Sequence, residues 1–167
     1  MIFVTVGTHE QPFNRLIKKV DDLVKENVIN EKVIIQSGYS TYDAKHCEMH
    51  KWMTFSEMHK EFSDARIVIT HGGPSSFIDA LKIRKIPIVV PRQASFNEHI
   101  NNHQVDFVKL VADRMDNIIP VYDINDLDKI ILKYDEIVKE KKDNTYSNNI
   151  KFNIAIEKIV EGMFKNQ

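Results

Sequence analysis

A chain of 167 residues fits one domain that can bury a sizeable core, and 43% hydrophobic against 28% charged residues, with five Gly and five Pro, is an ordinary globular composition. That excludes disorder as the main state and removes any need for disulfide staples. Lys and Arg number 23 against 24 Asp and Glu, a formal charge of -1, so no global field would hold the protein on nucleic acid or anionic lipid.

Residues 2–6 form a β-branched apolar run closed by Gly7, and Phe13, Leu16, Ile17, Val20, Leu23 and Val24 then recur at helical spacing, predicting strand, turn and helix. Residues 33–35 predict a second strand that stops at Gln36-Ser37-Gly38. Trp52, Phe55 and Met58, ahead of a helix around Glu61 and Phe62, read as core and edge residues. A third strand over 66–70 stops at His71-Gly72-Gly73-Pro74, where Pro74 suits the first turn of a helix whose apolar face is Phe77, Ile78, Leu81 and Ile83. Another buried run over 86–90 ends at Pro91, followed by a helix from about 98 to 112 and a strand over 118–122. Asn125-Asp126 reads as the cap of a helix over about 127–139, and the polar stretch 141–149 as a loop. A last helix, about 147–165, carries Phe152, Ile156, Ile159, Val160 and Met163 and packs either on its own domain or on a partner.

Apolar strands alternating with amphipathic helices predict a doubly wound α/β domain, a parallel sheet covered on both faces, occupying 1–167 as one unit. Ligands in such folds bind at the carboxyl ends of the strands, so Gly7-Thr8-His9, Gln36-Ser37-Gly38, His71-Gly72-Gly73 and the segment from Arg92 onward are expected to converge there. The single cysteine, Cys47, cannot close an internal disulfide, which fits a reducing compartment. No leader pattern opens the sequence and no apolar run approaches the roughly 18 residues that cross a bilayer. The expected location is therefore cytoplasmic, with membrane contact through a partner.

The first turn lacks Gly-x-Gly-x-x-Gly and there is no Gly-x-x-x-x-Gly-Lys-Ser/Thr, which removes nicotinamide dehydrogenases and P-loop NTPases. His71-Gly72-Gly73-Pro74-Ser75-Ser76 places two glycines and two hydroxyls where a strand turns into a helix, so free amides and the helix dipole can face a diphosphate. An ordinary glycine turn with a Ser cap accounts for the same residues. Glu98, His99 and His103 fall on one predicted helix, where the histidines at i and i+4 share a face, but no further ligand motif accompanies them. His46-Cys47-x-x-His50 lacks a fourth ligand and reads as a loop cluster, and nothing marks Cys47 as an activated thiol. No metal is expected.

The order of these segments resembles the C-terminal, donor-binding half of the GT-B glycosyltransferases of family 28. It is most similar to small catalytic subunits of two-component enzymes: bacterial ones in capsular or exopolysaccharide synthesis, and the eukaryotic one that adds the second N-acetylglucosamine to a dolichol-linked sugar. The resemblance rests on Val4-Thr5-Val6-Gly7-Thr8-His9-Glu10-Gln11-Pro12-Phe13, Gln36-Ser37-Gly38, the block from Thr70 to Ser76, Lys85-Ile86-Pro87-Ile88-Val89-Val90-Pro91-Arg92, and Asn97-Glu98-His99-Ile100-Asn101-Asn102-His103-Gln104. It implies that Gly7, Thr8 and His9 lie at the donor diphosphate, that His71, Gly72, Gly73, Ser75 and Ser76 hold it, and that Phe55 sits by the base. Asp79, one methylene shorter than the family's usual Glu, would bind the ribose, and His103 with Gln104 would meet the donor sugar.

The implied reaction is an inverting, β-1,4 transfer of a hexose, galactose favoured, from a UDP-sugar to a lipid-linked saccharide, with no cofactor or metal. His9 is either the base or a hydrogen-bond donor to phosphate. The acceptor half of the cleft would come from a membrane-anchored partner subunit. Two other classes fit parts of the pattern: a non-catalytic nucleotide- or sugar-phosphate-binding module, and a metal-dependent hydrolase using His99 and His103.

Overall fold

The computed structural model describes residues 1–141 and 149–164. Its strands are β1 (Ile2–Thr5), β2 (Val33–Gln36), β3 (Glu48–His50), β4 (Ile67–His71), β5 (Ile88–Val90) and β6 (Ile119–Pro120). The helices are α1 (Asn14–Lys25), α2 (Phe55–Asp64), α3 (Pro74–Lys82), α4 (His103–Met115), α5 (Leu127–Leu132), α6 (Tyr134–Glu140) and α7 (Asn149–Phe164). All strand pairs are parallel, in the order β3-β2-β1-β4-β5-β6. β1 is the central seam: Ile2 lies opposite Val33 on one side and Ile67 on the other. The order reverses between β1 and β4, which opens a crevice at their carboxyl ends. This is the doubly wound α/β fold that the alternation of strands and helices predicts.

The period of two along each strand divides the core into two layers. Ile2, Val4, Ile35, Ile67, Ile69, Ile88 and Val90 face α1, through Phe13, Leu16, Ile17, Val20 and Leu23, and also Leu127, Ile131 and Tyr134 of α5 and α6. Phe3, Ile34 and Val68 face Phe62, Ala65 and Ala80 on the α2 and α3 side, while Phe77, Val89, Val108 and Ile118 close the sheet's other half against α3 and α4. The apolar strands carry no alternation because both their faces are covered.

Several expectations shift. β3 was not read from sequence, because Glu48-Met49-His50 is a short edge strand with exposed flanking residues rather than an apolar run. α4 starts at His103, not near 98: Asn97 is left-handed at φ 56°, and Glu98 is drawn inward as an acceptor, which ends any helix there. The helix expected over 127–139 is broken at Lys133 into α5 and α6, with the hydroxyl of Tyr134 donating to the Ile86 carbonyl at 2.7 Å. Asp126 is the N-cap residue of α5, within the expected Asn125-Asp126 pair, but its side chain makes no capping hydrogen bond; the side-chain cap is one turn earlier, where Asp123 accepts from the Asn125 amide at 2.9 Å ahead of a short 3-10 turn. Phe55 is no core residue: it is the first residue of α2, 83% exposed, beside Trp52, which is also exposed. The loop expected over 141–149 falls largely, at 142–148, outside the described residues. α7 occupies most of the span expected for the last helix, with Ile156, Ile159, Val160 and Met163 exposed.

The long connection from β2 to β3 is fastened to α1 by a buried carboxylate. Asp21 accepts from the Tyr42 hydroxyl at 3.1 Å and from the Lys45 and His46 amides at 3.1 and 2.7 Å. Burial pushes this carboxyl up, and those hydrogen bonds outweigh it and hold it below its ordinary value. Asp21→Ala strands three donors at once, so urea denaturation should record a loss of about 2 to 4 kcal/mol. A loss below about 0.5 kcal/mol would mean that the connection is held by other contacts.

Candidate active site

The turns after β1 and β4 meet in a cleft of about 200 Å³ at the point where the strand order reverses. It is lined by Thr5, Gly7, Thr8, Gln36, Trp52, Met53, Met58, His71, Ser75 and Ser76. A second, more apolar cleft of about 280 Å³ lies between α2 and α3, lined by Met53, Phe55, Met58, His59, Phe62, Asp79, Lys82 and Ile83. The two share Met53 and Met58, so they form one groove running from the glycine turns to Phe55 and Asp79. Gly7, Thr8, Ser75 and Ser76 thus come together at one end, and Phe55 and Asp79 at the other. Asp79 pairs with Lys82, one turn on, at 2.8 Å.

Close approach explains the glycines. Gly7 has φ +75°, and a side chain there would collide with Nε2 of His71. A side chain on Gly73 would meet the same imidazole, and one on Gly38, at φ +53°, would meet the Gly7 carbonyl. Gln36 ties the first turn down by accepting from the Thr5 hydroxyl at 2.7 Å and donating to the Gly7 carbonyl at 3.2 Å.

The amides of Gly72 and Gly73, expected from the sequence to be free, are both engaged within the protein. Gly72 donates to Oε1 of Gln104 at 3.1 Å and Gly73 donates to Nδ1 of His71 at 3.1 Å. They rigidify the turn instead of facing outward, because a buried amide must find a partner even when no ligand is bound. No side-chain cap closes α3 at Gly73, which leaves the first-turn amides beyond Pro74, with the hydroxyls of Ser75 and Ser76, as donors at the groove. Since Nδ1 of His71 accepts, its proton is on Nε2, the atom packed against Gly7.

Gln104 is buried, and its carbonyl oxygen also takes the Arg92 amide at 3.1 Å, so only its NH2 end is left for a ligand. His103 opens α4, exposed, with Nδ1 against Oδ1 of Asn101. His99 is not on that helix, yet its ring meets His103 edge to face at 4.3 Å and stacks on His9 at 4.6 Å and 10°. The three rings form a row along the β1 to α1 loop and the approach to α4, an arrangement that helical spacing alone misses. Among the described residues no three His, Cys, Asp or Glu side chains gather as a metal site. Burial and Asp21 push the Cys47 thiol up to about 12, so it is no ready nucleophile.

Behind the row lies Arg92, fully buried although its motif gave no sign of a role for it. Its guanidinium donates to the carbonyls of Gln11 at 2.7 Å, Val6 at 2.8 Å and Glu98 at 3.2 Å, and lies 4.8 Å from the Phe13 ring. Burial lowers it to about 10, and the nearby Glu98 carboxylate works in the opposite direction, so it stays charged. Glu98 itself accepts both arms of Arg15 at 2.8 Å.

Burial, together with Arg92 and His9, drives the His71 imidazole from 6.5 to about 3. The folded value lies below the unfolded one, so this stability is fully present above about pH 6.5 and is lost as pH falls toward about 3. The slope reaches about 1.4 kcal/mol per pH unit. Carboxylates such as Asp21 and Glu31 act lower, so denaturation between about pH 6.5 and 4.5 should show the fall, with His99 adding to it. His71→Gln should flatten the curve; parallel wild-type and variant curves would contradict a buried neutral His71.

Among solved structures the chain is similar to the glycotransferase of kitacinnamycin, with TM-score 0.58 and 11% identity over 83% of this chain and 36% of that one. It is similar also to the glycosyltransferase SnogD from Streptomyces nogalater, with TM-score 0.50 and 15% identity over 93% of this chain and 43% of that one. At these identities the likeness is one of fold, and the chain spans less than half the length of either. No curated protein matches it. Among the described residues no helix is long and apolar enough to cross a membrane. The crevice where its strand order reverses lies within a match to the glycosyltransferase family 28 C-terminal domain over residues 1–161, and the chain belongs to that family.

Proposed function

We propose that this chain is the donor-binding, catalytic part of an inverting glycosyltransferase that takes a hexose from a UDP-sugar. The observation that carries the reading is the single groove from Gly7, Thr8, Ser75 and Ser76 to Phe55 and Asp79. Its polar end has the donors a diphosphate needs, and its apolar end has an aromatic ring and a carboxylate for a nucleoside. The diphosphate lies against the first turn of α3, with the Ser75 and Ser76 hydroxyls and the Nε2 proton of His71. Gly72 and Gly73 hold the shape of this turn. The base packs by Phe55, the ribose hydroxyls bond to Asp79, and the sugar lies toward His103 and the NH2 end of Gln104.

The acceptor hydroxyl attacks the anomeric carbon in line. Its proton passes to His9 as the new bond forms, and the bond to the diphosphate breaks with its electron pair leaving on UDP. The helix terminus stabilises that charge, so no metal or cofactor is required. His9, which follows Thr8 of the groove, and His103, which precedes Gln104, support a transferase over a module that only binds nucleotide, which needs no group near the sugar. They also set the reading apart from a hydrolase, whose metal His99 and His103 would have to hold.

From the resemblance we infer the finer assignment: β-1,4 transfer, galactose favoured, to a lipid-linked saccharide in capsular or exopolysaccharide synthesis. The second wall of the cleft then comes from a membrane-anchored, acceptor-binding subunit, which would hold the chain peripherally on the inner, cytoplasmic face. Ile100, 81% exposed, and Phe96, 54% exposed, flank the histidine row where that wall would meet it. The exposed apolar side of α7 offers a second contact.

Calorimetry should find UDP bound more tightly than UMP and far more tightly than free sugars. Asp79→Ala should weaken UDP about tenfold, the worth of roughly 1.4 kcal/mol, with the fold unchanged because Asp79 is partly exposed. Gln104→Ala should instead cost about 2 kcal/mol of stability, since it orphans the Gly72 and Arg92 amides. A folded chain that ignores UDP would end this reading. Transfer to lipid-linked glucose should appear or rise strongly when the acceptor-binding subunit is co-expressed, and equal activity of the chain alone would remove the partner from the proposal.

A further inference from the structure

The base assigned above has two ring nitrogens, and the structure distinguishes them. Nε2 of His9 lies 2.9 Å from Oε1 of Gln11, a carbonyl oxygen that can only accept, so the proton of the neutral ring is on Nε2. Nδ1, the lone-pair nitrogen, has no hydrogen-bond partner among the described residues. Gln11 is itself fastened, because its backbone carbonyl accepts a hydrogen bond from the buried Arg92 guanidinium. His99 covers one face of the His9 ring, nearly parallel to it. His99 is oriented in turn by the Asn101 amide, which donates to its Nδ1 at 3.4 Å, and by the edge of His103.

Resting on the proposed transferase reading, we propose that Gln11 is a positioning residue: its side-chain carbonyl holds the Nε2 proton of His9, the His99 ring fixes the imidazole plane, and Nδ1 takes the acceptor hydroxyl's proton. The Nδ1 lone pair forms the new N–H bond as the hydroxyl oxygen bonds to the anomeric carbon. The imidazolium so formed keeps its Nε2–H bond to Gln11. A carboxylate in the place of Gln11 would orient the ring equally well, but it would also favour the protonated imidazole and so lower the fraction of free base at neutral pH. An amide orients without adding charge. The groups near His9 include Arg92, the depressed His71 and His99, and His103 beyond it; the charge of Glu98 is engaged by Arg15, and the adjacent Glu10 is exposed to solvent.

The test has a structural and a functional arm. Ring-nitrogen NMR of the histidine-labelled chain at neutral pH should show His9 protonated on Nε2, and Gln11→Ala should mix the two tautomers. Alanine keeps the backbone carbonyl that Arg92 uses, so the fold is preserved. In the chain co-expressed with its acceptor-binding subunit, Gln11→Ala should lower kcat about tenfold or more with UDP affinity unchanged. Gln11→Glu should raise the His9 titration and move the acidic limb of the pH profile up by about one unit, which a purely structural role would not do. His9 protonated on Nδ1 in the wild type, or a tautomer indifferent to Gln11→Ala, would overturn the proposal. So would full kcat in Gln11→Ala or an unmoved limb in Gln11→Glu. Failure of the wild-type chain to bind UDP would overturn the transferase reading instead, while the NMR arm would still decide whether Gln11 sets the ring.

Discussion

A buried guanidinium joins the two halves of this site. Arg92 follows β5, yet two of the three carbonyls it holds, Val6 and Gln11, belong to the loop after β1. The third, Glu98, belongs to its own segment, and the Glu98 side chain is clamped by Arg15 at the start of α1. Taking a cation out of water is expensive unless its protons are matched and a counter-charge is near. Here three carbonyls match the two terminal nitrogens and Glu98 supplies the charge, with Phe13 packed against the guanidinium, while its Nε has no hydrogen-bond partner among the described residues. The consequence is geometric: the loop carrying Gly7, Thr8 and His9 cannot move independently of the segment leading to His99, His103 and Gln104.

Around that anchor the turn chemistry is settled before any ligand arrives. Gln104 takes the Gly72 and Arg92 amides on one oxygen, and the buried His71 takes the Gly73 amide. A phosphate site assembled from these glycine amides would have to break bonds already made. A site on the first turn of α3 breaks none, because no side chain caps that helix. The glycines therefore serve as space rather than as donors: they let the backbone pass close to His71, and burial keeps that imidazole neutral.

The groove also has an open side. Phe55 on α2, and Phe96 and Ile100 ahead of α4, are large apolar side chains that face solvent, and Ile100 follows His99 of the histidine row. Exposed apolar surface of this kind marks a surface suited to contact with another protein.

The sequence by itself determined the layered α/β architecture, because β-branched runs without alternation can be buried only between two helical layers, and the helices between them carry their apolar stripes at 3.6-residue spacing. It also determined where ligands would gather, since glycine and polar turns follow the strands, and the order of motifs brought the family into view. Tertiary structure alone decided what those residues do. Whether the Gly72 amide faces a ligand or Gln104 depends on a contact 32 residues away, and the row of His9, His99 and His103 forms across 90 residues of chain. The helix expected from 98 failed because Glu98 gains more from Arg15, distant in sequence, than from continuing a local helix. Arg92 was unreadable for the same reason: local pattern places an arginine at the surface, and only the converging carbonyls of two separate loops make its burial favourable.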